Sequence, residues 1–396
     1  MRILVVTHNY PRVAGDPAGA FVRRLAVAAR RAGAEICVVA PHATGAREEE
    51  QDEGVSVTRF RYAPDGFERV AYRGDLHRVS ALSAPLVALG LPFFIASFAR
   101  AITRAVAAFA PDVIHAHWWI PGGWLASRPG TPFIVTAHGS DVRLLDRSAL
   151  LRRRALTVLA RASAITTVSR FLADDIRRVL PTLATPVHVA RMPVDVAHFE
   201  AGRSVAKADP PRILYAGNLL ASKGVDVLLH AFAILRQQAA PCGLKLLGSG
   251  PELATLRRDA ERLGVAGDVT WSPFVSQEAM PAEYGASTVT VLPTRGRAEG
   301  LGLTLVEALL SGSAVVGTHA GGIPEVVTDG VSGLLAPDGD AASLASQIAR
   351  LLADSNLRAQ LTERGRRMVR EAFAPDAAAA RFLSLYDDVV RHRRAA

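Results

Sequence analysis

Lysine is nearly missing. The chain has 396 residues and 46 basic side chains, yet only Lys207, Lys223 and Lys245 are lysines. Almost every positive charge is a guanidinium, so a lysine is informative where it does occur, because the two groups are not interchangeable at tight sites. Cysteine is scarcer still. Cys37 and Cys242 lie in different halves, each in or beside an apolar run, with no metal-ligand spacing. They are expected to be buried free thiols in a reducing cytoplasm. Aromatics make up 6% of the chain, and the aromatic-plus-basic pattern of nucleic-acid modules is not visible, so no nucleic-acid partner is expected. The opening MRILVVTHNY lacks an apolar core long enough for a signal peptide and is expected to be a first strand.

Length argues for two domains, and 49% hydrophobic with 21% charged residues argues for a globular chain. The net charge of +9 is uneven. Residues 1–200 hold 25 arginines against 17 acidic residues, a surplus of +8; the remainder has a surplus of +1. This positive half suits an anionic partner such as a membrane surface or a lipid phosphate, or reflects a general drift toward Arg. Residues 79–99, VSALSAPLVALGLPFFIASFA, carry no charge. Such a run is long enough to span a bilayer, but Pro85 and Pro92 interrupt it. A buried helix pair and a partly exposed face that docks on a membrane are the other readings.

Apolar β-like runs alternate with helical patterns. In the first half RILVVT (2–7), EICVVA (35–40), DVIHAH (112–117), PFIVTAH (132–138) and AITTVS (164–169) are expected strands, and EEEQDE (48–53) is expected to be a solvated acidic loop. The rhythm restarts at RILYAG (212–217) and continues through LKLLGSG (244–250), DVTWSPF (268–274), TVTVLP (288–293) and SAVVGT (313–318). Strand–helix alternation of this kind means parallel sheets with helices on both faces. Residues 188–211, closed by two prolines, are expected to be the interdomain linker. The expected organisation is an N-terminal domain over 1–190, a second domain over 191–374, and a last helix over 375–396 that closes back on the first domain.

Ligands of doubly wound sheets bind beyond the strand C-termini. After RILYAG comes NLLASKG, which places Lys223 at a helix start, a setting that suits a diphosphate. After TVTVLP comes TRGRAEGLGLTLVEALLSG. Gly300 and Gly302 permit close backbone approach, and a helix is expected to begin near 301–303 with the N–H groups of Leu303 and Thr304 open to a second phosphate. Glu299 then sits before the helix and Glu307 within it. Eight helical residues rise about 12 Å and rotate roughly 80°, so the two carboxylates are no acid/base pair. DGD (338–340) resembles a metal motif but precedes a helical pattern, so Asp340 is expected to be an N-cap.

These residues carry a resemblance. EGLGLTLVEALLSGSAVVGTHAGGIPEVVTDGVSGLL (299–335), AGNLLASKGVDVLLHAF (216–232) and LKLLGSGPELATLRR (244–258) resemble the signatures of family 4 retaining glycosyltransferases of the GT-B superfamily (glycosyl transferases group 1), and the likeness covers essentially the whole chain. It implies an α/β fold of GT-B architecture, two Rossmann-like doubly wound parallel-sheet domains facing a central cleft. Glu299 would contact the donor sugar, Glu307 the ribose, and Lys223 the diphosphate, helped by Gly300, Leu301, Gly302, Leu303 and Thr304. Ser272, Phe274 and Val275 would border the base. TAHGSD (136–141) matches the segment whose histidine reaches the transferred sugar, making His138 the main candidate in the first domain, beside Gly15 and Gly19 for the phosphates. His138, Glu299 and Lys223 are the expected catalytic groups. HAHWWIPGG (115–123) suggests His117, Trp118 and Trp119, with Asp141, on the acceptor side.

Two departures stand out. Asn218 occupies the position where the family usually has Arg, and MPVD (192–195) replaces the usual Asn-Gly-Val-Asp while keeping Asp195. The resemblance implies transfer of a hexose-type sugar from a nucleotide-diphosphate sugar, with retention, to a sugar or lipid-linked glycan acceptor. The donor is a co-substrate, and neither cofactor nor metal is expected. Exopolysaccharide, cell-surface glycan or glycolipid synthesis is the expected setting, in the cytoplasm or peripherally at the inner face of the membrane. A nucleotide-sugar 2-epimerase and a non-catalytic nucleotide-binding subunit are the alternatives.

Overall fold

The computed structural model describes residues 1–13, 15–72, 85–238 and 241–395. The chain divides into two compact units, Met1–Pro193 with Pro375–Ala396, and Val194–Ala374.

The first unit is built on an eight-stranded sheet of order β3-β4-β2-β1-β5-β6-β7-β8. Its strands are β1 Arg2–Val6, β2 Glu35–Pro41, β3 Glu49–Asp52, β4 Val55–Phe60, β5 Val113–His117, β6 Phe133–Ala137, β7 Ala164–Thr167 and β8 Val187–Val189. All pairings are parallel except β3 with β4. Every residue of β5, β6 and β7 is buried. That explains their near-continuous apolar runs, as expected of parallel strands covered on both faces. The helix Ala20–Arg31 buries Val22, Leu25, Ala26 and Ala29, a stripe at helical spacing. Its N-cap Gly19 has φ 66°, and a Cβ there would lie 2.0 Å from the Asn9 carbonyl oxygen, so only glycine fits. The helix Pro375–Ala395 buries Ala378, Ala379, Phe382, Tyr386 and Val389 in this unit.

The second unit has a six-stranded parallel sheet of order β11-β10-β9-β12-β13-β14. Its strands are β9 Arg212–Ala216, β10 Gly243–Leu247, β11 Val269–Ser272, β12 Val289–Leu292, β13 Ala314–Thr318 and β14 Leu334–Ala336. In each sheet the chain order reverses beside the unit's first strand. The reversal falls between β1 and β5 in one sheet and between β9 and β12 in the other. Loops that leave the C-terminal ends of such strand pairs are where open α/β sheets hold ligands.

Three expectations change. Residues 188–211 are not a plain linker. His188 and Val189 belong to β8; Asp195 caps the helix Val196–Glu200 by accepting from the His198 N–H at 3.1 Å; and Phe199 is fully buried. Ala190, Met192 and Val194 are buried as well, and Lys207 donates to the Ser287 and Gly312 carbonyls at 2.8 and 2.7 Å, so a stretch whose prolines and polar residues read as irregular is held along its length. The acidic stretch 48–53 is not a loop either. Glu49–Asp52 forms the edge strand β3, whose charges are met by Arg23 on Asp52 at 2.6 Å and Arg59 on Glu50 at 2.6 Å. The partners lie 29 and 9 residues away, outside any local window.

The third change concerns the charge-free run. Positions 79–84 lie outside the described residues. Pro85–Phe109 is one helix with Pro92 inside it, not a helix pair. Phe94, Phe98 and Ile102 form a buried stripe, and Phe98 stacks on Phe60 of β4 at 4.6 Å between ring centroids. Burying each such ring contributes roughly 1.5–3 kcal/mol, so this face belongs to the first unit's core. Leu89, Leu91 and Phe93 are exposed on the same helix. Over Leu89–Phe109 the helix is long and apolar enough to cross a membrane by length and composition, but its buried stripe places it against the sheet. Both cysteines are buried free thiols, and burial pushes the Cys37 thiol up to about 11.

Candidate active site

In the second unit the loops after β9 and β12 are locked together by glycines. Gly224 has φ 67°, and a Cβ there would lie 2.0 Å from the Pro293 carbonyl oxygen at the end of β12. The Arg295 N–H donates to the Ser222 carbonyl at 2.9 Å. A Cβ on Gly248 would lie 1.9 Å from the Gly217 oxygen, and one on Gly250 would lie 2.1 Å from the Leu219 oxygen. The GSG turn after β10 therefore braces the segment that carries Asn218. The packing brings Lys223 and Glu299, 76 residues apart, into an ion pair at 2.7 Å. Their side chains keep 19% and 17% exposure, enough to meet a ligand while partly shielded from water.

Gly302, at φ 93°, caps the helix Leu303–Leu310. Its first-turn N–H groups, those of Leu303 and Thr304 among them, have no carbonyl within the helix to bond. Gly300, Leu301 and Gly302 are buried, and the loop is held by the Gly322 N–H donating to the Glu299 carbonyl at 3.0 Å. Cβ atoms on Gly321 and Gly322 would come within 2.1 Å and 2.3 Å of the Glu299 and Gly300 oxygens. This glycine pair shapes the loop that carries Glu299, and its signal in the sequence is the doubled glycine itself. Glu307 lies within the helix and accepts from the Tyr284 hydroxyl at 3.0 Å. Tyr284 is fully buried, its phenol pushed up by desolvation and by the Glu307 charge, so it stays a donor. Nothing in the sequence pattern marked Tyr284. Ser272 and Val275 are half-buried, and Phe274 is 51% exposed beyond β11. Asp340 caps its helix by accepting from the Ser343 N–H at 2.9 Å, as expected.

In the first unit the candidates gather at the C-terminal ends of β5 and β6. His138 is half-buried and follows β6. Its Nε2 lies 3.0 Å from Nδ1 of His117, the last residue of β5. Desolvation, with smaller contributions from His115 and His8, pushes the His138 pKa down to about 3, so the imidazole is neutral near pH 7. Trp118 packs on the His138 and His8 rings, both at 4.4 Å between centroids. Its φ of 63° is unusual for a bulky residue and is held by its N–H donating to the Thr136 carbonyl at 2.8 Å. Gly15, at φ 77°, is exposed; Gly19 lies at the buried helix start already described.

The acceptor-side candidates are buried, not exposed at the strand ends. Asp141 is fully buried, and its carboxylate accepts from the backbone N–H groups of Trp119, His138 and Gly139 at 3.1–3.2 Å. Trp119 is 2% exposed and donates its indole N–H to the Asp141 carbonyl at 2.9 Å. His117 is fully buried, and Trp118 is 6% exposed. These groups hold the loop that carries His138 and expose little of their own surface. Their spacing in the sequence was visible, but whether a strand end points inward or outward was not. His115 completes the network, between Thr136 Oγ1 and the Tyr386 hydroxyl at 2.6 Å each. Among the described residues, the group with metal-ligand spacing is His42, Asp65 and Glu68, where His42 bonds Glu68 at 2.6 Å and Asp65 pairs with Arg61.

Comparison with known proteins fits this arrangement. A model described as Glycosyltransferase Family 4 matches residues 18–198, and one described as Glycosyl transferases group 1 matches residues 199–368. A D-inositol 3-phosphate glycosyltransferase of Salinispora arenicola (strain CNS-205) is 31% identical over 354 residues, 80% of this chain and 78% of the relative. The chain belongs to glycosyltransferase family 4. A GDP-mannose-dependent alpha-(1-6)-phosphatidylinositol monomannoside mannosyltransferase of Mycolicibacterium smegmatis is 34% identical over 163 residues, 40% of this chain and 43% of that one. Among solved structures, sucrose-phosphate synthase from Thermosynechococcus elongatus covers 99% of the glycosyltransferase and 100% of its own chain, with a TM-score of 0.77 at 22% identity. Anabaena HepE in complex with UDP-glucose aligns with a TM-score of 0.68 at 18% identity, covering 97% and 99% of the two chains. At these identities the likeness establishes the fold, which is GT-B.

Proposed function

We propose that the glycosyltransferase takes a hexose-type sugar from a nucleotide-diphosphate sugar and transfers it with retention of anomeric configuration, without a metal. The observation that carries this reading is the Lys223–Glu299 ion pair in the glycine-braced loops after β9 and β12. Beside Glu299 the chain runs through Gly300–Gly302 into the open helix start at Leu303. An incoming diphosphate takes over Lys223 and accepts from the free N–H groups, since a helix N-terminus and an ammonium both favour negative charge. Displaced from Lys223, Glu299 accepts from sugar hydroxyls. Glu307, held by Tyr284, binds the ribose, and Phe274 with Ser272 and Val275 borders the base. His138 supplies the first unit's contact to the transferred sugar, and Gly15 and Gly19 let the backbone approach the donor. Charge that builds on the leaving diphosphate is stabilised by groups already in place, commonly the largest single contribution to catalysis. Asn218 offers no charge where relatives of this type usually carry Arg, which leaves Lys223 a larger share.

The acceptor reading rests on the arginine surplus of the first 200 residues together with the relatives named for D-inositol 3-phosphate and phosphatidylinositol monomannoside. It is a phosphorylated polyol or an anionic glycolipid head group. The exposed Leu89, Leu91 and Phe93, with Arg100 and Arg104 exposed further along the same helix, support peripheral contact with an anionic membrane at its cytoplasmic face. No feature of the described residues favours the epimerase or the non-catalytic alternative.

The test is a panel of nucleotide sugars, including UDP-glucose and GDP-mannose, read by donor hydrolysis and by thermal stabilisation in the presence of EDTA. One donor should raise the melting temperature and be consumed. Transfer to D-inositol 3-phosphate is then followed by NMR, with the anomeric configuration of donor and product compared. An inverted product would overturn retention, and loss of turnover in EDTA would overturn metal independence. Flotation with anionic liposomes should be salt-sensitive; absence of binding at low salt would remove the membrane contact.

A further inference from the structure

The His117–His138 bond sits below the proposed sugar contact, and nothing else in the mechanism uses it. Nδ1 of His117 is 3.0 Å from Nε2 of His138. That bond occupies one nitrogen of His138, so the ring can meet a ligand only through Nδ1. His117 itself is fully buried at the end of β5, and its Nε2 has no hydrogen-bond partner among the described residues. Burial pushes both imidazoles down, His138 to about 3 and His117 well below its ordinary value, so both are neutral near pH 7. Two neutral rings share one proton across the bond, and the tautomer of one dictates that of the other.

Two arrangements are open. If His138 donates from Nε2, then His117 must carry its own proton on Nε2, where a buried N–H finds no acceptor. If His117 donates from Nδ1, its buried Nε2 is left only as an under-satisfied acceptor. Orphaned buried N–H groups are the rarer of the two in folded proteins. The second arrangement therefore prevails, and it puts the proton of His138 on Nδ1. His115 does not compete for this bond. Its nitrogens face Thr136 and Tyr386, and its ring lies against His117 at 4.3 Å between centroids. Phe21 at 4.9 Å and Trp118 at 4.4 Å hold the His138 ring from its sides.

We propose that His117 is a positioning residue: it fixes the ring and the tautomer of His138, which then meets a ligand oxygen as an Nδ1–H donor. The role of that oxygen rests on the assignment of His138 to the transferred sugar, but the tautomer does not. A neutral N–H donor holds a hydroxyl or phosphate oxygen in place and does not abstract its proton. His138 is then a hydrogen-bonding group and not a general base, whereas the opposite tautomer would present a bare lone pair.

The full chain, labelled with 15N-histidine, is read by long-range 1H–15N correlation without any ligand, and His138 is assigned by its loss in His138→Gln. The expected pattern is a protonated Nδ1 and an acceptor Nε2. In His117→Leu that single pattern should be lost. In His117→Asn, whose side-chain amide can donate from the same reach, it should return. Turnover of UDP-glucose and of GDP-mannose, probed separately, should fall about tenfold to a hundredfold in kcat for His117→Leu with KM little changed, and recover in His117→Asn. A protonated Nε2 on His138 of the unaltered chain overturns the proposal, even if the Leu variant fails to fold. An unchanged pattern in a folded His117→Leu also overturns it. If the tautomer follows His117 while turnover does not, the positioning stands and the assignment of His138 to the sugar falls.

Discussion

The two units of this glycosyltransferase present their candidate groups by opposite means. In the second unit, backbone packs on backbone: Gly224, Gly248, Gly250, Gly321 and Gly322 each stand where a Cβ would lie within 2.3 Å of a carbonyl oxygen. Those contacts draw the loops together until Lys223 and Glu299 meet. In the first unit, side chains do the holding. Asp141 gathers three backbone N–H groups, and His115, His117 and His138 are fixed by Thr136, Tyr386 and one another. The glycine-built loops leave Lys223 and Glu299 paired and partly exposed, whereas the network consumes most of its polar groups internally and leaves His138 half-buried. Aromatic and polar richness near a strand end is therefore a poor guide to exposure, and a scarce charge in a glycine-rich loop is a better one.

The comparison can be broken from either side. The largest effect should come from Lys223→Ala, which removes the ammonium from the glycine-built site. Donor turnover should fall about 100- to 1,000-fold while the melting temperature stays near that of the unaltered protein. Near-normal turnover at limiting donor would end its diphosphate role. Gly224→Ala tests the packing itself. The added Cβ meets the Pro293 oxygen at a positive φ, so chemical denaturation should show a loss of about 2–4 kcal/mol. A neutral result would mean that the loops are not held by this contact.

In the network-built site, Asp141→Ala leaves buried N–H groups without an acceptor. It should cost about 2–3 kcal/mol in the same measurement, with much of the donor affinity preserved if the donor rests on the second unit. Glu307→Gln, smaller again, should weaken the free nucleotide diphosphate about tenfold by calorimetry, roughly 1.4 kcal/mol. Unchanged affinity would reassign the ribose contact.

The gentlest probe is pH. His115 and His138 are pushed down to about 3 in the folded state from an ordinary 6.5, and His117 is pushed well below its ordinary value too. The unfolded chain thus takes up protons first. The histidine contribution to stability is complete above about pH 6.5 and is lost progressively as pH falls from there toward 3. Melting temperature should be level near neutrality and decline through that window, less steeply in His138→Gln. An identical decline in the variant would show that His138 is not among the groups responsible.

Much of the fold was legible because the strands are short apolar runs at a regular interval, and the restart at Arg212 marks a second sheet. The loops after β9 and β12 were legible as well. Glycine next to a lone lysine, and glycine before a helix, state their backbone chemistry locally. Tyr284 was not legible, since a tyrosine in a helix gives no sign of the carboxylate 23 residues away that it will hold. Nor was the strand within 48–53, because Arg23 and Arg59 offset its charges from outside any sequence window. The run ending at Ala99 could be read three ways, and what separates them is which helical face meets Phe60.

The sequence by itself determined the two parallel sheets, which rest on periodicity, and it marked Lys223, Glu299 and Glu307 as candidates, since a scarce lysine beside glycine and a carboxylate in an apolar run are properties of neighbouring residues. The family followed from the likeness of whole segments. Only the tertiary structure decided that His117, Trp119 and Asp141 face inward, that Pro375–Ala395 lends Tyr386 to His115, and that His138 is left one free nitrogen. Burial and hydrogen-bond partnership depend on what the rest of the unit brings within about 3 Å, and for each of these residues at least one partner lies from 21 to 271 positions away.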